Sequence, residues 1–119
     1  MDPIIQQALT TDNVIDITTN GRKSGEPRRI EIWFHYLDGR VFITGSPGKR
    51  NWYANLVAAP HFTFHLKQSV KADLAATATP ITDANQKRAI LTPILAKLKR
   101  SHELADWVAR SPLVAVQFA

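Results

Sequence analysis

Residues 20–29 read NGRKSGEPRR, and a second stretch at 45–52, GSPGKRNW, repeats the same ingredients of glycine, a hydroxyl and closely spaced cations. In the first stretch Arg22, Lys23, Arg28 and Arg29 have only Glu26 to balance them. Glycine lets backbone N–H groups converge, a helix amino terminus carries roughly half a positive charge, and Lys or Arg completes the neutralisation of an oxyanion. The chemistry on offer is phosphate binding, with Ser24 and Ser46 as further donors. Either loop alone also fits a solvated turn. Their combination is what points to a site.

The elements that hold these loops follow from periodicity. A short helix is read around Pro3 to Leu9, and VIDITT at 14–19 is a β-branched strand running into Asn20-Gly21. The first basic stretch therefore joins two strands. Its far side, RRIEIWFHYL at 28–37, reads as one strand with Ile30, Ile32, Phe34 and Tyr36 on one face and Glu31, Trp33, His35 and Leu37 on the other. Asp38-Gly39 is a two-residue hairpin turn returning through RVFITG at 40–45. The second basic loop feeds NWYANLVAA, a helix with Asn51 as cap and Pro60 as stop. HFTFHLK at 61–67 and KADLAATATPI at 71–81 supply two more strands. From Asp83 to Arg110 the pattern is helical, with Thr92-Pro93 marking a kink or a fresh start, and SHELADWVAR forms a further short helix. LVAVQF at 113–118 closes the set. About six mostly antiparallel strands with short flanking helices predict an α+β fold, a small closed or split β-barrel, because closure hides sheet edges.

At 119 residues the chain is read as a single domain, 1–119, long enough for a core and too short for two. Hydrophobic residues at 45% and charged residues at 21%, without a biased tract, place it among folded proteins. Cysteine is absent, which excludes disulfides, thiolate metal sites and cysteine nucleophiles. The opening MDPIIQQALTTDN lacks the basic and apolar regions of a signal peptide, so a cytoplasmic protein is expected. Fifteen Lys and Arg against ten Asp and Glu leave +5, which favours an anionic partner. A metal is not expected: on one strand His61 and His65 would lie roughly 13 Å apart, at ~3.3 Å per residue, beyond a shared ion with ~2 Å bonds.

Taken in order, TTNGRKSGEPRR, WFHYLDGRVFITG and PGKRNWYANLVAAPHFTF resemble the deazaflavin-dependent nitroreductase or quinone reductase family. These are split-barrel proteins similar in fold to the FMN-binding pyridoxamine-phosphate oxidases. The resemblance runs from about Thr18 to Leu66. It implies a cofactor such as the 8-hydroxy-5-deazaflavin coenzyme F-420, or FMN in related branches, with its phosphate near the basic turn. By that resemblance Lys23 and Arg28 match the family's cations, Arg22 and Ser24 are their neighbours, and Ser46, Gly48 and Lys49 approximate a second phosphate-contacting loop. That loop is shorter here than in the better-known nitroreductase members. Trp52, Tyr53 and Asn55 match the family's WYxNL segment, Trp52 also being suited to core packing with Leu56. The resemblance further implies a homodimer.

A reduced deazaflavin delivers hydride itself, so the protein must bind, orient and exclude water. A quinone, enone or nitro acceptor still needs a proton, for which Tyr36, Tyr53 and His35 are the candidates nearest the matched motifs. Tyr36 equally suits the apolar face it shares with Phe34, and His35 an ordinary polar strand position. Two other classes remain at this point. A nucleic-acid module would need a basic stripe with interleaved aromatics, whereas these cations gather in two turns and Glu31 interrupts the strand. A non-catalytic carrier for a flavin, haem or apolar ligand needs the same pocket as a reductase, and only turnover separates the two.

Overall fold

The computed structural model describes residues 1–119. Helix α1, Pro3–Thr11, starts where the Asp2 carboxylate accepts from the Ile4 N–H at 2.7 Å and Pro3 needs no partner for a missing N–H. Strand β1, Val14–Asn20, pairs antiparallel with β2, Pro27–Trp33, across the basic turn. The hairpin of β3, His35–Leu37, and β4, Arg40–Thr44, turns at Asp38 and Gly39 with φ of 49° and 79°, the left-handed pair such a turn demands. Helix α2, Asn51–Ala58, follows the second basic loop. Strands β5, His61–Leu66, and β6, Ala72–Pro80, precede α3, Ala84–Lys97, and α4, Leu104–Arg110. Strand β7 is Leu113–Phe118.

All seven strands form one sheet in the order β2-β1-β5-β6-β7-β4-β3, every pairing antiparallel. The α+β split barrel expected from the sequence is present, with seven strands instead of about six. The difference arises at Phe34, where the segment read as one strand from 28 to 37 is broken. Its N–H donates to the Asn13 carbonyl at 3.0 Å and its ring is fully buried, edge-on to Phe64 with centroids 5.3 Å apart. Burying this aromatic at a corner outweighs continuing the ladder. The chain thus passes from one edge of the sheet to the other through a single residue, and this curls the sheet into a half-barrel.

The concave side holds the main core, including Ile15, Ile17, Phe34, Ile43, Leu56, Phe64 and Val114. A second cluster, including Phe42, Leu91, Leu95, Trp107 and Leu113, lies where α3 and α4 cover the opposite face. Helix α3 runs through Pro93 without ending, so the expected fresh start does not occur there. Pro93 and Ala89, whose carbonyl loses its partner, are both exposed, while Leu91, Ile94 and Leu95 are buried on the other side. The freed carbonyl belongs to an exposed residue and packing on the other side holds the helix. It ends at Lys97 and is closed off by Lys99, φ 60°, with Arg100 N–H bonded to Leu95 O at 2.8 Å. No helix is long and apolar enough to cross a membrane.

Candidate functional site

The register of β1 and β2 sets the first cavity. Thr19 pairs with Arg28 and Ile17 with Ile30, so Thr19, Arg28 and Ile30 share the concave face. Helix α2 lies across that face and offers Trp52 and Asn55 one turn apart. Between them is a cavity of about 390 Å³, within the range of roughly 300–1,000 Å³ usual for small-molecule sites. Gly21, Arg22, Lys23, Ser24 and Asn51 complete its lining.

The turn is tied to the helix by one buried amide. Asn55 Oδ1 accepts from the Arg22 backbone N–H at 3.1 Å and from Arg22 Nη1 at 3.0 Å, while its Nδ2 donates to Thr19 Oγ1 at 3.2 Å. Within the turn the Gly21 N–H donates to Glu26 O at 2.8 Å and the Gly25 N–H to Gly21 O at 2.7 Å. A Cβ at Gly21 would meet Ser24 Oγ at 2.7 Å, which that side chain could relieve by turning, and the Glu26 backbone oxygen at a tight 3.2 Å. Arg22, Lys23 and Arg28 form no ion pair. Asn51, expected as the cap of α2, is instead its first residue; Arg50 stands in the cap position and no side chain caps the helix, so its first N–H groups are also free for a ligand. Unpaired cations, free N–H groups and the apolar walls of Trp52 and Ile30 fit a ligand with an anionic group and a flat ring.

Of the residues singled out from the sequence, Arg22, Lys23, Ser24, Arg28, Trp52 and Asn55 come together here. Trp52 is also 7% exposed and part of the main core, so it serves both readings. The second basic loop goes elsewhere. Gly48 and Lys49 line a separate cavity of about 470 Å³ with Arg50, Tyr53, Lys87, Arg110 and Ser111. The Ser46 carbonyl accepts from Arg50 Nη2 at 3.0 Å, and Ser46 lines neither cavity. The two loops do not converge on one point. A groove lined by Arg22, Lys49, Arg50, Asn51, Tyr53 and Ala54 connects them.

The three candidate proton donors are also dispersed. Tyr53 faces the groove and second cavity. Tyr36 packs against the main core, its hydroxyl 3.4 Å from Gln6 Nε2. His35 pairs with Phe42 in β4, is buried, and lines neither cavity. Burial, with the Lys97 charge adding to it, pushes its imidazole down to about 4.

Three features were not singled out from the sequence. Thr19, Ile30 and Asn51 complete the first cavity, and strand parity with Arg28 was the available signal for Ile30. Lys87 and Arg110 reach the second cavity from distant segments and carry no local motif. On the outer face Thr18 Oγ1, His65 and Asp73 form a chain, with both contacts to the ring at 2.7 Å. A carboxylate only accepts, so Nδ1–H donates to Asp73, and that bond holds the Asp73 carboxyl below its usual range. The chain clamps three neighbouring strands and belongs to neither cavity.

A curled antiparallel sheet with a cavity beside a cationic turn that has no carboxylate partner defines a split barrel suited to a small anionic ligand. Residues 4–117 match the model of the F420H(2)-dependent quinone reductase family, and the chain belongs to that family. It is a deazaflavin-dependent oxidoreductase. Solved structures share the fold at low identity. An F420-H2 dependent reductase, FDR-A, is 19% identical over 89% of this chain and 95% of its own, with a TM-score of 0.67. A FAD-binding protein from Mesorhizobium loti is 15% identical over 100% and 91%, with a TM-score of 0.70. A protein related to general stress protein 26, of the pyridoxinephosphate oxidase family, from Clostridium acetobutylicum is 12% identical over 91% and 76%, with a TM-score of 0.68.

Proposed function

We propose that the cavity between the 21–25 turn and α2 holds the coenzyme, its phosphate against Arg22, Lys23, Ser24 and Arg28 and its ring against Trp52 and Ile30. The observation carrying this reading is the set of three cations that line the cavity with no carboxylate partner, Arg22 among them being held by Asn55. When bound, the reduced deazaflavin supplies a hydride to a small electrophile of the quinone, enone or nitro class. The protein's share is to fix the turn, exclude water with Trp52, and supply a proton. Of the three candidates, Tyr53 is the one facing the groove that opens from this cavity, and it is the donor proposed here. The chain is further proposed to pair as a homodimer through β2, an edge strand exposed along most of its length, with Ile30 at 37% and Trp33 at 50% exposure.

Titrating coenzyme F-420 into the protein and into Lys23→Ala/Arg28→Ala, with FMN as comparison ligand, tests the site. Loss of two charge-assisted contacts is expected to weaken coenzyme binding by tenfold or more, about 1.4 kcal/mol for each factor of ten. Both side chains are exposed and unpaired, so the melting temperature should hold. Unchanged affinity in the folded double variant removes the turn from the site.

A further inference from the structure

The second cavity contains something the first lacks, a buried cation. Lys87, in the first turn of α3, is 8% exposed, donates from Nζ to the Ser111 carbonyl at 2.8 Å, and makes no ion pair. An ammonium has three donors, so two remain without a protein acceptor. Beside it stand Lys49, Arg50 and Arg110, and neither Asp nor Glu lines the cavity. Arg110 is held from behind by Asp106 at 2.7 and 2.9 Å, and Arg50 is turned onto the carbonyls of Ser46 and Lys49. Ser111, another lining residue, has a buried Oγ with no hydrogen-bond partner.

Burying an ammonium without a counter-charge costs free energy, and desolvation accordingly draws Lys87 below its usual basicity. A charge kept there at such a cost, walled by three more cations, lacks an anion.

We propose that this cavity is a second anion site, binding the phosphate or carboxylate group of a ligand, with Lys87 Nζ as its central donor and Lys49 and Arg110 flanking it. The groove through Arg22, Asn51 and Tyr53 shares lining residues with both cavities and lies between them. The anion is therefore either the far end of an elongated acidic ligand seated in the first cavity or a separate molecule, and the chemistry that recognises it is the same.

The test uses inorganic phosphate in the Lys23→Ala/Arg28→Ala background, where the first cavity has lost two of its cations, so its outcome does not depend on coenzyme binding. Millimolar phosphate, compared with chloride at equal ionic strength, is expected to shift the Gly48 and Ser111 amide resonances saturably and to raise the melting temperature. Lys87→Met, which removes an uncompensated buried charge and keeps the stem, is expected to weaken that response about tenfold or more. Should Lys87→Met fail to fold, Lys49→Ala and Arg110→Ala supply the same comparison from exposed positions. Repeating the titration with coenzyme F-420 bound to the wild-type protein assigns the source: competition points to that ligand's own acidic end, additivity to a separate anion. A response that never saturates, or one that all three substitutions leave intact, overturns the proposal.

Discussion

At the scale of single residues, His35 shows how burial becomes a pH response. Its imidazole titrates near 6.5 in an unfolded chain and at about 4 in the fold. Above pH 6.5 both states are neutral and nothing changes. Between 6.5 and 4 the unfolded chain takes up a proton that the fold refuses, so stability drops by about 1.4 kcal/mol per pH unit, on the order of 3 kcal/mol in all. Denaturant titrations across that range should show this slope, and His35→Gln should flatten it. Asp16, whose carboxyl is lowered chiefly by its hydrogen bond from Lys67, gives up its contribution further towards acid, so the two losses are separable. The residue types were legible in the sequence, but the surroundings were not: strand alternation puts His35 opposite Phe34, yet only the packing of α3 decides that this second face is dry.

At the scale of elements, α3 carries the next expectation. Replacing Pro93 with Ala restores a hydrogen bond to the exposed Ala89 carbonyl in a helix that already runs unbroken, so thermal unfolding should show a gain of about 1–3 kcal/mol. A loss would mean that the ring itself packs better than its exposure suggests. The sequence marked this proline as a break because local rules weigh its missing N–H heavily. The three buried residues around it, Leu91, Ile94 and Leu95, override that cost. The opposite error occurred at Phe34, where unbroken alternation from Arg28 to Leu37 read as a single strand. Alternation reports which way side chains point and is blind to a change of hydrogen-bonding neighbour. The Asp38-Gly39 turn and the α2 helix were legible because their determinants are local.

At the scale of the whole molecule, pairing through β2 predicts a concentration-dependent mass in sedimentation. Trp33→Lys, placing a charge on the exposed apolar rim, should leave monomers of unchanged fold; a wild-type chain that is monomeric at all concentrations removes that assembly. The first cavity was legible because its turn and helix are near in sequence and share one strand register, whereas the second cavity was not, because α3 and the end of α4 reach it only through the packed fold. Sheet order has one more consequence, which concerns folding. Strand β7 lies between β6 and β4, and its partner Ile43 is some seventy residues away from Val114. The β3-β4 hairpin has no other strand neighbour, so it stays detached from the sheet until that distant pairing forms. Loops this long close slowly and contacts of such high sequence separation set the pace. The hairpin should therefore be the late-acquired part of the barrel in refolding and, among the strands, the first to release its amides to exchange.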